Sequence, residues 1–340
     1  MTPRRRSAAR TRPGLVVAGV LAALVAAAAV LTTAPALVGL STTTGVAQAV
    51  ALRGAGALAL LVLAAALGVV VVVRRRRPSA VLAGALSAVL LACAVVHVAV
   101  LASRGVDGRL PGPDADLVVV ALNAEVDGVT PQQLADLVVL TGADVLALPE
   151  TDPALAEQMA DAAGAATGAT FTVYSEAADE RPIAVTSLLV SDRLGALERV
   201  AAPRLDLAAV AARPVDGDGP VLVAVHPPPP IPGRFPMDAW VQQGATAVAA
   251  CSATPGAVVA GDLNATLDHA QLRDLGPCVS VAQAVGVGGL GTWPAVLPPL
   301  LGSPIDHVLV DARAWRPLTA DVVRVGTTDH RAVVVGLARR

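Results

Sequence analysis

Residues 257–264 read Ala-Val-Val-Ala-Gly-Asp-Leu-Asn, a short apolar run that changes directly into polar residues. Other short apolar runs end in the same way, and the polar residues that follow four of these runs are Asn123, Glu150, His226 and Asp262. One polar residue after a strand is ordinary turn chemistry. Four of them favour a functional site, because α/β folds assemble their sites where strands end at one edge of a sheet.

The segment from Leu117 onward indicates how the strands are connected. Leu117–Leu122 and Asp144–Leu148 are apolar runs typical of buried strands. Between them, residues 130–133 carry an N-cap threonine, a proline at the first helical position and a glutamine at the third, so a helix is expected from here to about Thr141, with Gly142 ending it. A strand, a helix and a strand in this order predict a parallel pair joined by a crossover.

The rest of the chain continues this alternation. Further helices are expected over Ala154–Ala163 and Asp238–Cys251. Further strands are expected over Phe171–Tyr174, Ile183–Val190, Leu207–Ala212, Val221–Val225, Ala257–Ala260, Val308–Val310 and Ala332–Leu337. The patterns predict an α/β domain over residues 117–340, which is long enough to bury a sizeable core.

Charge divides the chain into two parts. Residues 1–102 contain ten arginines and no acidic residue, whereas residues 103–340 contain 15 arginines and 27 acidic residues, a formal charge of −12. Such a split indicates two regions in different surroundings. The acidic part would repel a polyanion, which argues against a dedicated DNA-binding protein but leaves nuclease chemistry open.

Three apolar segments lie within residues 1–102, at about 15–35, 54–73 and 81–101. Each is about as long as the ~20 residues that a membrane-spanning helix needs, and each is apolar all round instead of amphipathic. We therefore expect three transmembrane helices that anchor the chain in a lipid bilayer. Residues 103–116, rich in Gly, Pro and Asp, are expected to form a linker that frees the following domain from the bilayer.

Arginine clusters predict the orientation of this anchor. One cluster consists of Arg4, Arg5, Arg6, Arg10 and Arg12, and the other of Arg74–Arg77. Both belong on the cytoplasmic side, so three crossings place the domain outside the cytoplasm. Cleavage of the first segment as a signal peptide at Ala34-Pro35-Ala36 is an alternative that preserves this orientation. His97, in the third segment, is expected to lie at the membrane interface.

Two of the three cysteines, Cys251 and Cys278, lie in the exported region. An oxidising compartment permits a disulfide between them, and two free buried thiols are the alternative. The sequence contains neither CxxC nor HExxH, so it offers no zinc-binding spacing.

Five short motifs follow one another in the order of a known family. They are Leu122-Asn123, Leu148-Pro149-Glu150, Gly261-Asp262-Leu263-Asn264, Pro304-Ile305-Asp306-His307 and Thr328-Asp329-His330. From about Asp116 to Arg340 the chain resembles the endonuclease/exonuclease/phosphatase superfamily, which includes deoxyribonuclease I-like nucleases, abasic-site endonucleases, neutral sphingomyelinases and inositol polyphosphate phosphatases. The resemblance implies a four-layer α/β sandwich, with two facing sheets flanked by helices and the site at one edge, preceded here by three transmembrane helices.

The resemblance also implies how a metal ion is bound. Glu150 would be the principal Mg²⁺ ligand, with Asn123 beside it and Asp329 completing the acidic cluster. Carboxylate oxygens and water suit Mg²⁺, and Mn²⁺ is the alternative ion.

Roles for the remaining residues follow from the same resemblance. Asp262 would orient or deprotonate the attacking water, and Asn264 would donate to a phosphate oxygen. His330 would be a second phosphate contact, with Asp306 fixing its tautomer and raising its pKa. His226 matches a position that helps to protonate or stabilise the leaving oxygen.

Three residues near these motifs need interpretation. Pro149 stands where the family commonly has glutamine, which removes a polar side chain but not the metal ligand. Asp268, followed by His269, resembles the terminal Asp-His pair, but we expect it to be the N-cap of a helix. Trp293 is interpreted equally well as part of the mouth of the site or as a core residue.

These expectations predict a membrane-anchored, Mg²⁺-dependent phosphoesterase that hydrolyses a phosphodiester outside the cytoplasm by attack of a metal-activated water. Nucleic acid and a lipid headgroup both remain open as substrates, and no protein partner is implied. A phosphomonoesterase of a small metabolite and a catalytically inactive binding or sensor module of the envelope are alternatives on the same fold. A transporter is disfavoured because the apolar segments offer almost no polar groups.

Overall fold

The structure is a computed structural model that describes residues 13–217 and 219–340. Four helices come first: α1 (Pro13–Thr33), α2 (Val46–Ala51), α3 (Arg53–Val73) and α4 (Pro78–Arg104). In the described part of the chain, α1, α3 and α4 are long and apolar enough to cross a membrane. A helix of 21 residues, such as α3, rises roughly 30 Å, which is the thickness of the hydrocarbon core.

The three long helices pack on one another and expose most of their apolar side chains. Leu90 and Cys93 are buried among them, whereas Val62, Val69 and Val95 are exposed. Exposed apolar faces suit helices that contact lipid and are unusual on a soluble protein. The predicted apolar segments are therefore helices as expected, and the arginines at positions 4, 5, 6, 10 and 12 lie outside the described residues.

The rest of the described chain alternates strands and helices. The strands are β1 (Leu117–Ala121), β2 (Val145–Pro149), β3 (Phe171–Ala177), β4 (Val185–Ser191), β5 (Leu197–Val200), β6 (Ala209–Pro214), β7 (Leu222–Val225), β8 (Val258–Asp262), β9 (Cys278–Ser280), β10 (Asp306–Asp311), β11 (Trp315–Arg324) and β12 (Arg331–Arg339). The helices are α5 (Pro131–Thr141), α6 (Pro153–Thr167), α7 (Met237–Ala253) and α8 (Val281–Ala284).

The strands form two six-stranded sheets, ordered β11-β12-β1-β2-β4-β3 and β5-β6-β7-β8-β10-β9. Each sheet has one parallel pair, β1 with β2 and β7 with β8. The sheets face each other over a shared core that includes Val119, Val210 and Val308. Helices α5 and α6 cover the outer face of the first sheet, and α7 covers that of the second. The predicted four-layer α/β sandwich is confirmed.

The alternation of side chains explains why β1 is apolar throughout. Leu117, Val119 and Ala121 point into the core between the sheets. Val118 and Val120 pack on the opposite face, under α5 and α6. A strand that is covered on both faces has no solvent side, so its sequence is a continuous apolar run.

Most predicted elements are confirmed with small shifts at their ends. In α5, the Thr130 hydroxyl accepts a hydrogen bond from the Gln133 N–H, and Gly142 ends the helix with a φ of 66°. The sequence does not predict β5, β9 or β11. The first two are only four and three residues long, and β11 is an edge strand whose register shifts between Pro317 and Thr319.

Residues 105–116 contain no helix or strand, as expected of a linker. The N–H of Arg109 donates to the Ala320 carbonyl, and the N–H of Asp116 donates to the Leu337 carbonyl. The backbone polar groups of this segment therefore find partners on the domain as well as in water.

Asp268 joins the domain to the N-terminal helices instead of capping a helix. The short turn over residues 270–272 has His269 at its N-cap position and no side-chain capping bond. The Asp268 carboxylate accepts hydrogen bonds of 2.6 to 2.9 Å from the guanidinium groups of Arg53 and Arg104. The N-cap prediction is wrong because two buried cations, which need an anion, take up both carboxylate oxygens.

The same cluster continues into the N-terminal helices. Arg53 begins α3 and Arg104 ends α4, and Arg53 Nη1 lies 2.9 Å from His97 Nδ1. His97 Nε2 in turn lies 3.3 Å from Thr32 Oγ1 in α1. Burial tends to raise the pKa of Asp268, but hydrogen bonds from both guanidinium groups outweigh it and lower the pKa to about 2. The carboxylate therefore stays ionised at neutral pH.

Cys251 in α7 and Cys278 in β9 form a disulfide in the structure. They lie 27 residues apart in sequence, and the loop that they close contains Asp262 and Asn264. Cys93 is a free, buried thiol in α4. A cross-link of this kind stabilises the fold mainly by restricting the unfolded chain.

Removing the disulfide through the double substitution Cys251→Ser and Cys278→Ser should lower the free energy of unfolding by ~3 kcal/mol, because the unfolded chain gains freedom. In thermal unfolding of the full chain in detergent, the midpoint should fall by about 6–12 °C. A reductant should lower the midpoint of the parent chain equally and leave the double variant unchanged. If neither the double substitution nor the reductant lowers the unfolding midpoint, the cross-link is disproved.

Candidate active site

Strand direction explains why polar residues that are distant in sequence meet at one edge of the two sheets. Four strands end at or just before a polar residue: β1 before Asn123, β2 before Glu150, β7 before His226 and β8 at Asp262. Strand β10 runs antiparallel to β8 and begins at Asp306, whose register partner is Asp262. Strand β12 runs antiparallel to β1 and begins directly after His330. The ends of four strands and the beginnings of two therefore lie at the same edge.

Asn123 lies between two carboxylates. Its Nδ2 donates to Glu150 Oε1 at 3.0 Å and to Asp262 Oδ2 at 3.2 Å. Its Oδ1 accepts a hydrogen bond of 2.9 Å from the Glu125 N–H. Because the amide is held from both ends, it fixes the separation of the two carboxylates.

His330 is a cationic group at this edge. Its Nδ1 donates to Asp306 Oδ2 at 2.8 Å, and its Nε2 lies 3.7 Å from both Asp262 Oδ2 and Asp329 Oδ1. Burial disfavours the protonated ring, but the carboxylates of Asp306 and Asp262 outweigh it and raise the pKa of His330 to about 10. A protonated imidazole carries a hydrogen on both nitrogens, so in this form His330 can donate a hydrogen bond from Nε2 toward the cavity.

His226 is a neutral histidine in the same place. Its Nε2 lies 3.7 Å from Asp262 Oδ2 and 3.9 Å from Glu150 Oε1. Burial, together with the charge of His330, lowers the pKa of His226 to about 3. Its Nδ1 is buried without a hydrogen-bond partner among the described residues. The two carboxylates favour the tautomer with the proton on Nε2, which can donate to an oxygen in the cavity.

Asp262 is buried, and its Oδ1 accepts a hydrogen bond of 2.8 Å from the Asn264 N–H. Burial and the neighbouring Asp306 raise the pKa of Asp262 to about 7. A raised pKa makes the ionised carboxylate a stronger proton acceptor, as a general base requires. Gly261 permits its position: at a φ of 145°, a Cβ on this residue would lie 2.1 Å from the Val225 carbonyl oxygen.

Four residues that line the cavity have strained backbones. Glu125 and Val126 have φ values of 50° and 60°, and Glu150 and Asn264 have φ values of 57° and 50°, in the left-handed region that non-glycine residues rarely adopt. The Glu150 N–H donates to the Val185 carbonyl, and Asn264 Nδ2 donates to the Pro227 carbonyl at 3.0 Å. Backbone strain that is held in place in this way is concentrated at functional sites.

Trp293 and Glu125 hold Asp329, and the sequence did not identify either of them as its partner. Trp293 Nε1 donates to Asp329 Oδ2 at 2.8 Å, so the indole belongs to the site. The Asp329 N–H donates to Glu125 Oε2 at 2.8 Å. The only sequence signal for Glu125 is an acidic residue two positions after Asn123, at the end of a strand.

A cavity of about 540 Å³ opens over this edge. Its charged lining comprises the carboxylates of Glu125, Glu150, Asp262 and Asp329 and the cationic side chains of His330 and Arg234. Several carboxylates at one site repel each other unless a cation lies among them. Carboxylate oxygens are hard donors of the kind that bind Mg²⁺ or Mn²⁺. The donor set therefore fits a divalent cation.

Asp262, Asp306 and His330 form a second group of possible metal ligands, with donor atoms within 4.8 Å of one another. A metal ion there requires the neutral form of His330, because a protonated ring nitrogen has no lone pair to donate. The Glu150 carboxylate, which also lines the cavity, offers a further oxygen donor.

The sequence model of the endonuclease/exonuclease/phosphatase family matches residues 120–330. The chain belongs to this family. Members of the family are phosphoester hydrolases, and the polar edge described above lies within the matched residues. No curated protein sequence matches the chain.

Three solved structures are similar to the chain. A functionally unknown conserved protein from Enterococcus faecalis V583 covers 66% of this chain and 100% of its own at 12% identity, with a TM-score of 0.49. A family protein from Beutenbergia cavernae DSM 12333 covers 66% and 72% at 18% identity, with a TM-score of 0.49. A mannosyl-6-phosphatase from Bacteroides thetaiotaomicron VPI-5482 covers 66% and 100% at 13% identity, with a TM-score of 0.46.

Gly261→Ala should lower the free energy of unfolding by more than ~2 kcal/mol, because its Cβ would meet the backbone of the neighbouring strand. Gly195→Ala is the matched control, since it has a φ of 76° and nothing within 4 Å of its Cβ. The control carries only the strain of a positive φ, about 1 kcal/mol. Equal losses for the two variants in thermal unfolding would disprove the close approach at Gly261.

Proposed function

We propose that the chain is a membrane-anchored phosphodiesterase that depends on Mg²⁺, or alternatively Mn²⁺, and acts outside the cytoplasm. The observation that carries the proposal is the convergence of Glu150, Asp262 and His330 on one cavity at the edge of the sheets. A carboxylate cluster beside a cationic histidine can hold a metal ion, accept a proton from water and contact a phosphate.

On this proposal the chain divides into an anchor (residues 1–102), a linker (103–116) and a catalytic domain (117–340). Arg74–Arg77 are exposed in the turn between α3 and α4. Arginine clusters of this kind face the cytoplasm. The other ends of α3 and α4, which contact the domain through Arg53 and Arg104, then face outward.

Glu150 would be the principal metal ligand, with Asn123 and Asp329 close to it. A bound divalent cation supplies positive charge to the phosphoryl oxygens and lowers the pKa of water. Asn123 would bind through its Oδ1, which requires the amide to turn over, because Nδ2 faces Glu150 and Asp262 in the structure.

Asp262 and His226 would handle the protons of the reaction. The Asp262 carboxylate would accept a proton as the water oxygen attacks phosphorus, and the bond from phosphorus to the leaving oxygen breaks. His226, which is neutral because of its burial, would donate a hydrogen bond from Nε2 to that leaving oxygen.

His330 and Asn264 would contact the phosphate. Asp306 holds the His330 ring by a hydrogen bond to Nδ1, which leaves the Nε2 hydrogen directed toward the cavity. Asn264 donates one amide hydrogen to the Pro227 carbonyl and has a second one free to donate. Both would be donors to oxygens on which negative charge grows in the transition state.

Glu150→Gln should reduce kcat/KM for bis(4-nitrophenyl) phosphate by about a hundredfold or more, because it weakens metal binding. Chelation by EDTA should have the same effect on the parent chain, and added Mg²⁺ should reverse it. Glu157→Gln is the control, since Glu157 is exposed on α6. Activity that survives both chelation and Glu150→Gln would refute metal dependence at this residue.

Single cysteines should report the topology in intact cells treated with a membrane-impermeant maleimide. Glu157→Cys should react, because the catalytic domain lies outside, whereas Arg75→Cys should react only after permeabilisation. Labelling of the parent chain should be low, since Cys93 is buried and Cys251 and Cys278 form a disulfide. The reverse labelling pattern would place the domain in the cytoplasm.

A further inference from the structure

The cavity that contains the carboxylates is also lined by apolar side chains, which we call the apolar wall. The wall comprises Ala51, Leu52, Ile183, Ile231 and Phe235. A small polar phosphate ester gains nothing from such side chains, whereas an apolar part of a ligand gains by leaving water. The wall therefore indicates a ligand with both a phosphate and an apolar part.

Two of the wall residues belong to the anchor and not to the catalytic domain. Ala51 ends α2, and Leu52 connects α2 to α3. Helix α2 is held on the domain, because Gln48 Nε2 donates to the Pro230 carbonyl at 2.6 Å and Gln48 itself lines the cavity. The anchor thus builds part of the substrate site in addition to holding the domain at the membrane.

The ion pairs of Asp268 with Arg53 and Arg104 determine how close the cavity lies to the ends of α3 and α4. Arg53 begins α3, Arg104 ends α4, and both bind Asp268. Asp268 follows Asn264 by four residues, and four residues span at most ~14 Å. The phosphate-binding end of the cavity therefore lies within reach of the helix ends, where lipid headgroups are found.

Apolar side chains are exposed near the ends of the N-terminal helices that lie next to the cavity. Leu37 and Val38 follow α1 and are exposed. Leu300 is also exposed, and it lies against the first turn of α3, where a Cβ on Gly54 would be 1.7 Å from the Leu300 carbonyl oxygen. Exposed apolar residues beside the ends of membrane helices favour contact with the bilayer interface.

Charge favours a single phosphate over a polyanion. Residues 103–340 have a formal charge of −12, and the arginine that lines the cavity is Arg234. One arginine can contact one phosphodiester, whereas a nucleic acid strand derives its affinity from many phosphate contacts.

We propose that the apolar wall binds the hydrocarbon part of a lipid phosphodiester, whose phosphate reaches the catalytic edge from the adjacent leaflet of the bilayer. The inference rests on the proposed phosphodiesterase activity and adds its substrate class. It assigns Leu52, from the anchor, and Ile231, from the domain, as residues that determine specificity.

The test compares two phosphodiesters with the same leaving group, methyl 4-nitrophenyl phosphate and dodecyl 4-nitrophenyl phosphate, hydrolysed by the full chain in detergent micelles with Mg²⁺. Each buried methylene strengthens binding about fourfold, so kcat/KM for the dodecyl ester should exceed that for the methyl ester by about a hundredfold or more. Partition into micelles contributes to this ratio equally in the parent chain and in its variants.

Substitutions in the wall isolate its contribution. Ile231→Ser changes a residue that is 43% exposed, so the fold should persist. This variant and Leu52→Ser should each lower the ratio of the two kcat/KM values about tenfold. Val139→Ser, at an exposed position on α5 that does not line the cavity, should leave the ratio unchanged.

The outcomes separate the inference from the proposed function. A ratio that both wall substitutions leave unchanged would overturn the inference alone, and so would a higher kcat/KM for double-stranded DNA than for the dodecyl ester. If neither ester is hydrolysed, the proposed function fails and binding decides the inference. The dissociation constant of dodecyl phosphate should then be about tenfold lower for the parent chain than for the Ile231→Ser variant. Equal dissociation constants would overturn the inference.

Discussion

The hydrogen bond of 2.8 Å between Asp306 and His330 balances charge at the polar edge of the two sheets. The strand register places Asp306 directly opposite Asp262, and two buried carboxylates this close compete for one proton. His330 lies beside both carboxylates, so a positive charge on its ring offsets their repulsion. The charge balance at this edge therefore depends on one buried histidine.

The cluster of Asp268 with Arg53 and Arg104 makes the N-terminal helices and the domain energetically dependent on each other. Burying charges is costly, and the cost is offset only when each charge keeps its partners. Each of the two guanidinium groups donates two hydrogen bonds to the carboxylate of Asp268. If the domain were detached, two arginines would remain at the helix ends without their anion. In this cluster an arginine of the basic N-terminal region, Arg53, pairs with an aspartate of the acidic domain, Asp268.

The parts of the fold that depend on short-range patterns could be predicted from the sequence. Apolar runs located β1, β2, β7 and β8, and the caps at Thr130 and Gly142 located α5. The strand ends Asn123 and Glu150 were found in the same way. Features that depend on distant partners could not be predicted. Asp268 resembles a local cap, but its partners lie 164 and 215 residues away, and no local signal reveals that α2 lines the cavity.

The position of β12 has a consequence for how the protein is made. This strand lies between β11 and β1 in the interior of the first sheet, although it follows all the other described strands in the chain. While the ribosome is still adding these residues, β1 lacks one neighbour, and His330 has not yet joined Asp306. The polar edge is therefore complete only after β12 has been synthesised and has paired with β1.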